Sequence, residues 1–234
     1  MRLRLTPILK DGFNLQARPL ALMAVFFVFW LLRMAAYGEI DGRFAGAADR
    51  QLVSAAWRIA LWIGLPLVWL KFCERRDLDD ALHPCQPLSP RWWPMATLGV
   101  IALIFVGERL TRGVWTGVPE HVATMVLLRG SLAMVLVAIA EEFLCRGVIL
   151  SGLLVRGWGY RGASLAVSMF FTLTHWPGWL YGGTIGWKTL AELSVRIFLF
   201  GLLMAYLVRL EGGLKSAMLV HLINNLVAGD AFKS

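Results

Sequence analysis

The sequence predicts an all-α fold: a polytopic transmembrane helical bundle of about seven or eight spans, with a catalytic helix core in its C-terminal part. Three observations lead there. Of 234 residues, 58% are hydrophobic and 16% charged, whereas soluble domains run near half and a quarter. Mean hydropathy is +0.65, and 11 Trp and 13 Phe against 4 Tyr leave too little polar surface to cover a water-facing body. The apolar residues also gather into stretches close to the roughly 20 residues a spanning helix needs. The ten-residue alternation of a barrel is missing, so helices are the remaining way to satisfy a backbone in hydrocarbon.

Read in order, the expected spans are Leu20–Tyr37, Leu52–Phe72, Trp92–Val106, Ser131–Leu154 with an apolar lead-in from His121, Ala163–Tyr181, Leu190–Val208 and Leu214–Ala228. The first is expected to stay in the protein: Arg2, Arg4, Lys10 and Arg18 precede it, but no clean small-residue cleavage site follows. Glu74 to Asp80 and the series Pro84, Pro87, Pro90 form a polar, proline-broken linker after the first two spans. The organisation read from this is N-terminal membrane helices and a cytoplasmic linker over 1–120, then a catalytic helix core over 121–234.

The net charge of +8, from 23 Lys and Arg against 15 Asp and Glu, could serve nucleic acid or lipid. The basic residues flank apolar stretches and do not form an aromatic-interleaved stripe, so the partner is a bilayer and not nucleic acid. Lys71, Arg75, Arg76 and Arg91 share a side with the N-terminal segment, as do Arg156, Arg161 and Arg209 if spans alternate; that side is assigned to the cytoplasm. The opposite loops mix Glu39, Asp41 and Asp49 with Arg43 and Arg50, while Arg109 and Arg112 run against the assignment. Cys73, Cys85 and Cys145 have no CxxC spacing and leave an odd thiol, so neither a disulfide framework nor a thiolate zinc site is expected.

An ionisable group at the centre of a span costs about 2.5 to 3.5 kcal/mol on insertion scales, so each one needs a reason. Arg33, Arg58 and Arg196 stand singly inside spans and read as snorkelling or bundle-holding charges; Arg129 marks an interfacial segment before the fourth span. The C-terminal spans differ, because their polar groups recur at helical spacing. Glu142 and Arg146 are four apart and share a face, while Glu141 lies about 100° around the helix without that counter-ion. Phe171 and His175 share a face in the next helix, which Pro177 is expected to break. In the last span His221 and Asn225 are again four apart, with Asn224 offset.

A carboxylate kept from bulk water is a better base toward a water proton, and can return that proton to a leaving amine. An imidazole can hold the water, and a His beside an Asn supplies donors for the oxyanion formed when water attacks a carbonyl. The set suits amide hydrolysis. No Ser stands with a base at motif spacing, and Cys145 has no activating His nearby in sequence, so a covalent nucleophile is the weaker reading.

These residues resemble the CPBP family, the CAAX-protease and bacteriocin-processing membrane proteins, also called ABI or Ras-converting-enzyme-like glutamic intramembrane proteases. Its signatures EExxxR, FxxxH and HxxxN stand here as Glu141-Glu142 to Arg146, Phe171 to His175, and His221 to Asn225. The resemblance covers roughly Ser131 to Asp230. It implies that Glu141 and His175 activate water, that His221 and Asn225 stabilise the oxyanion, and that Glu142, Arg146 and Phe171 support the site. It also implies a multi-pass protein of the bacterial inner membrane with a cytoplasmic N-terminus, acting without a cofactor on a membrane-associated protein or peptide: a prenylated CAAX tail, a leader peptide or a sorting tail. Two alternatives stay open: a divalent metal held by Glu and the two His, and a non-catalytic immunity or adaptor protein with a buried polar network. The oligomeric state is left open.

Overall fold

The computed structural model describes residues 18–36, 56–89, 91–112, 134–181 and 185–227, and every regular element among them is a helix. In chain order these are α1 (Arg18–Ala35), α2 (Ala56–Glu74), α3 (Leu78–Leu82), α4 (Trp93–Arg112), α5 (134–155), α6 (Tyr160–Tyr181), α7 (Trp187–Glu211) and α8 (Lys215–Val227). Each expected span has a helix, and α3 is an addition inside the polar linker. The lead-in from His121, Arg129, the loop charges from Glu39 to Arg50 and the 120/121 boundary lie outside the described residues, as do the side chains of Arg109 and Arg112.

Among the described residues, α1, α2 and α7 are long and apolar enough to cross a bilayer. At about 1.5 Å per residue, the 25 residues of α7 reach about 37 Å. The helices that carry the polar motifs are less uniformly apolar, which is the cost of placing a site inside the bundle. Large apolar side chains also point outward: Phe72, Leu98 and Leu103 are about two-thirds exposed, an arrangement suited to lipid and expensive in water. Of the lone arginines, Arg33 is buried in α1, whereas Arg58 and Arg196 are exposed.

The basic residues expected on one side do share one end of the bundle. Arg18 at the start of α1 donates to the Cys73 carbonyl at the end of α2, 2.5 Å away. Arg156, just after α5, pairs with buried Glu74 at 2.5 Å. Arg209, near the end of α7, reaches the Gln86 carbonyl at 3.4 Å and lies 5.0 Å over the Tyr160 ring at the start of α6. Burial lowers the pKa of the Arg76 guanidinium at this end, against the raising influence of Glu74 and Asp80.

The N-terminal helices buttress the motif helices. α1 packs on α2, α5 and α6, α2 on α5, and α4 on α7 and α8. An aromatic cluster joins three of them: Phe26 lies 4.6 Å from Trp62 and 5.6 Å from Phe170 between ring centroids. Pro177 does not end α6, contrary to the sequence expectation; the helix continues to Tyr181. Proline removes a donor from the preceding turn, and other groups supply donors there. Trp30 Nε1 donates to the Thr174 carbonyl at 2.8 Å, and Thr174 Oγ1 and His175 Nδ1 lie 2.7 and 2.8 Å from the Phe171 carbonyl.

The linker straps onto the far end of α7. The Leu88 and Ser89 N–H groups donate to the Arg209 and Leu210 carbonyls at 2.8 and 3.3 Å. Gly212 turns the chain toward α8 at φ +82°, and a Cβ there would lie 2.9 Å from Pro87 Cδ and 3.0 Å from the Cys85 carbonyl. Gly212→Ala is therefore expected to cost on the order of 2 kcal/mol, from left-handed strain plus displacement of the strap. Thermal unfolding in detergent measures it; an unchanged midpoint would show that the strap yields freely.

Candidate active site

The site grows from Glu142, fully buried on α5. Its Oε1 accepts from Arg146 Nη1 at 2.9 Å and from His221 Nδ1 of α8 at 2.8 Å. From Phe143 to Leu150, directly after this residue, α5 winds in wider π-type turns, a local geometry frequent at functional sites. The buried Arg146 guanidinium is held on three sides: Nη1 on Glu142, Nη2 on the Gly201 carbonyl of α7 at 2.9 Å, and its plane 4.8 Å from the Phe171 ring centroid.

Glu141 is half-buried, with its side chain 15% exposed, and its Oε2 lies 3.5 Å from His221 Nε2. His221 thus stands between the two carboxylates. If Nδ1–H donates to Glu142, the Nε2 edge toward Glu141 carries a lone pair, and a single proton serves Glu141 and His221 together. The cluster is then neutral with either owner: Glu142 balances Arg146, and the second carboxylate and the imidazole are both neutral or both charged. Neutrality is what a low-dielectric interior favours.

Aromatic rings fix both imidazoles. Phe171 meets His175 edge-on at 4.8 Å and His221 at 5.8 Å, and Phe200 packs 5.3 Å from His221. His175 lies 5.6 Å from Trp179. Because its Nδ1 faces the Phe171 carbonyl, a donor position, Nε2 is left as the basic nitrogen of the neutral ring.

The structure brings Glu141, Glu142, Arg146, Phe171 and His221 into direct mutual contact. His175 joins them through Phe171, and no hydrogen bond or ion pair links it to Glu141. Asn225 and Asn224 are both half-buried on α8, one turn or less beyond His221. Sequence reading missed Phe200 and Gly201, which lie on α7, a helix without a motif. A glycine inside a long apolar helix was the available signal, since small residues there let helices approach. The three thiols are unpaired; in the linker, burial pushes the Cys85 thiol up, opposed by nearby Arg209. Among the described residues, no three His, Cys, Asp or Glu side chains form a metal-holding group.

Fold and site together define an integral membrane helical bundle with a buried carboxylate and imidazole cluster. Residues 123–227 match the family model described as Rce1-like, type II CAAX prenyl endopeptidase Rce1-like. That stretch, which holds all three motifs, belongs to the Rce1-like family, in agreement with the CPBP resemblance. No curated protein and no solved structure matches the chain significantly.

Proposed function

We propose that the protein is a CAAX-type intramembrane endopeptidase, hydrolysing a peptide bond of a membrane-associated protein or peptide with water activated by Glu141. The observation that carries this reading is the placement of Glu141 Oε2 3.5 Å from His221 Nε2, within residues matched by the Rce1-like model. The water oxygen attacks the carbonyl carbon, and its proton passes to the Glu141–His221 pair. His175 Nε2 holds the water. The oxyanion faces Asn225 and the protonated His221 Nε2. As the C–N bond breaks, the stored proton goes to the leaving amine.

His221 thereby has two tasks, where the sequence reading gave it only the oxyanion. Glu142, Arg146 and Phe171 hold the imidazole in place and touch no reacting atom. The shared basic end is assigned to the cytoplasmic face of a bacterial inner membrane, with the N-terminus on that side. The core over 121–234 carries the chemistry and the helices before it brace the core. The reaction is written without a cofactor.

The test is product analysis with the full chain in liposomes, offered a prenylated C-terminal peptide and unprenylated membrane peptides. Mass spectrometry is expected to find a discrete cleaved product from at least one class, unaffected by a chelator. Cleavage lost with chelator and restored by zinc would replace the water mechanism with a metal-dependent one. No cleavage, together with an intact cellular role for Glu141→Gln, would establish a non-catalytic adaptor.

A further inference from the structure

The buried polar cluster is tied to α7 by a backbone group. Arg146 Nη2 reaches the Gly201 carbonyl at 2.9 Å, and Gly201 sits where α6 and α7 come closest. A Cβ on residue 201 would lie 3.0 Å from Ser168 Cβ, 3.1 Å from Ser168 Oγ and 3.2 Å from Ser168 Cα. The last contact is backbone, so a rotamer change cannot relieve it; the helices would have to separate. The preceding residue, Phe200, packs on His221, so the same displacement acts on the imidazole from two directions.

We propose that Gly201 is a positioning residue for the reaction: its missing side chain lets α7 seat against Ser168, which brings its carbonyl to Arg146 and Phe200 to His221. Arg146 then fixes Glu142 Oε1, and Glu142 fixes the His221 ring with Nε2 toward Glu141. The polar atoms left over nearby support this view of Gly201 as a chosen acceptor. Arg146 Nε, Glu142 Oε2 and Ser168 Oγ are buried without a partner, so the guanidinium has little redundancy if the carbonyl withdraws. The effect on turnover rests on the protease reading, but the effect on His221 does not.

The experiment compares Gly201→Ala, Ser168→Gly and the double variant in the full chain, with kcat and KM on a cleaved peptide and the ¹⁵N resonances of the His221 imidazole. Gly201→Ala is expected to lower kcat by about 10- to 100-fold, the range a misplacement near 1 Å produces, with KM little changed. Its His221 Nδ1 resonance shifts. The double variant moves the crowding atom off α6 and recovers both readouts, whereas Ser168→Gly alone resembles the parent. If Gly201→Ala fails to fold, the double variant decides. The proposal is overturned if Gly201→Ala keeps the parental kcat and His221 signals, or if the folded double variant stays impaired while Ser168→Gly does not. Should the parent cleave nothing, the His221 resonances alone decide the positioning, and only the protease reading is lost.

Discussion

Glu141→Gln is expected to lower peptide hydrolysis by about 10²- to 10⁴-fold, the contribution of a positioned general base, while the protein folds as before. The asymmetry follows from how the two adjacent carboxylates are held. Glu142 is fully buried and its Oε1 receives two charge-capable donors at 2.8 and 2.9 Å. Glu141 keeps some exposure and has one polar neighbour at 3.5 Å. A neutral amide at 141 keeps the side chain's shape and can still meet His221, so the stability change should stay within about 1 kcal/mol. It cannot take a proton from water. Turnover and thermal unfolding measured on the same preparation test this, and a large loss of unfolding midpoint would mean that Glu141 is structural.

Arg146→Ala is expected to have the opposite signature, a loss of stability first. Removing one partner of a buried ion pair leaves an uncompensated charge and costs about 3 to 5 kcal/mol, a large part of the roughly 5 to 15 kcal/mol that holds a typical domain together. Glu142 would keep only His221, and the Phe171 face and the Gly201 carbonyl would each lose their cation. Yield from membranes and the detergent unfolding midpoint should both fall. Glu142→Gln combined with Arg146→Met removes both charges and should recover part of the loss, because an apolar or neutral replacement of a whole buried pair costs far less than half of one. Parental stability in Arg146→Ala would show that water or another group compensates Glu142.

The fold was largely legible because lipid imposes a length rule that sequence displays directly, and the helices fall where the apolar stretches lie. The pairing of Glu142 with Arg146 was equally legible, since four residues is a fixed geometric relation within one helix. Relations between helices were not. That His221 would insert between Glu141 and Glu142 depends on how α8 lies against α5, which no intrahelical spacing encodes. The Gly201 carbonyl was invisible for a different reason: a backbone acceptor has no residue signature. Pro177 misled because its usual helix-breaking effect was judged locally, whereas Trp30, from a helix some 144 positions away in sequence, supplies a donor on the affected turn.

The central claim is that Glu141 and His221 act on one water as a single proton-sharing unit. The most direct measurement is a double-mutant cycle on kcat with Glu141→Gln, His221→Ala and the pair combined, each confirmed folded. Groups that work as a unit give losses that do not multiply, so the double variant should be no slower than the worse single one. Losses that multiply in the double variant would place the two groups in separate roles and contradict the mechanism.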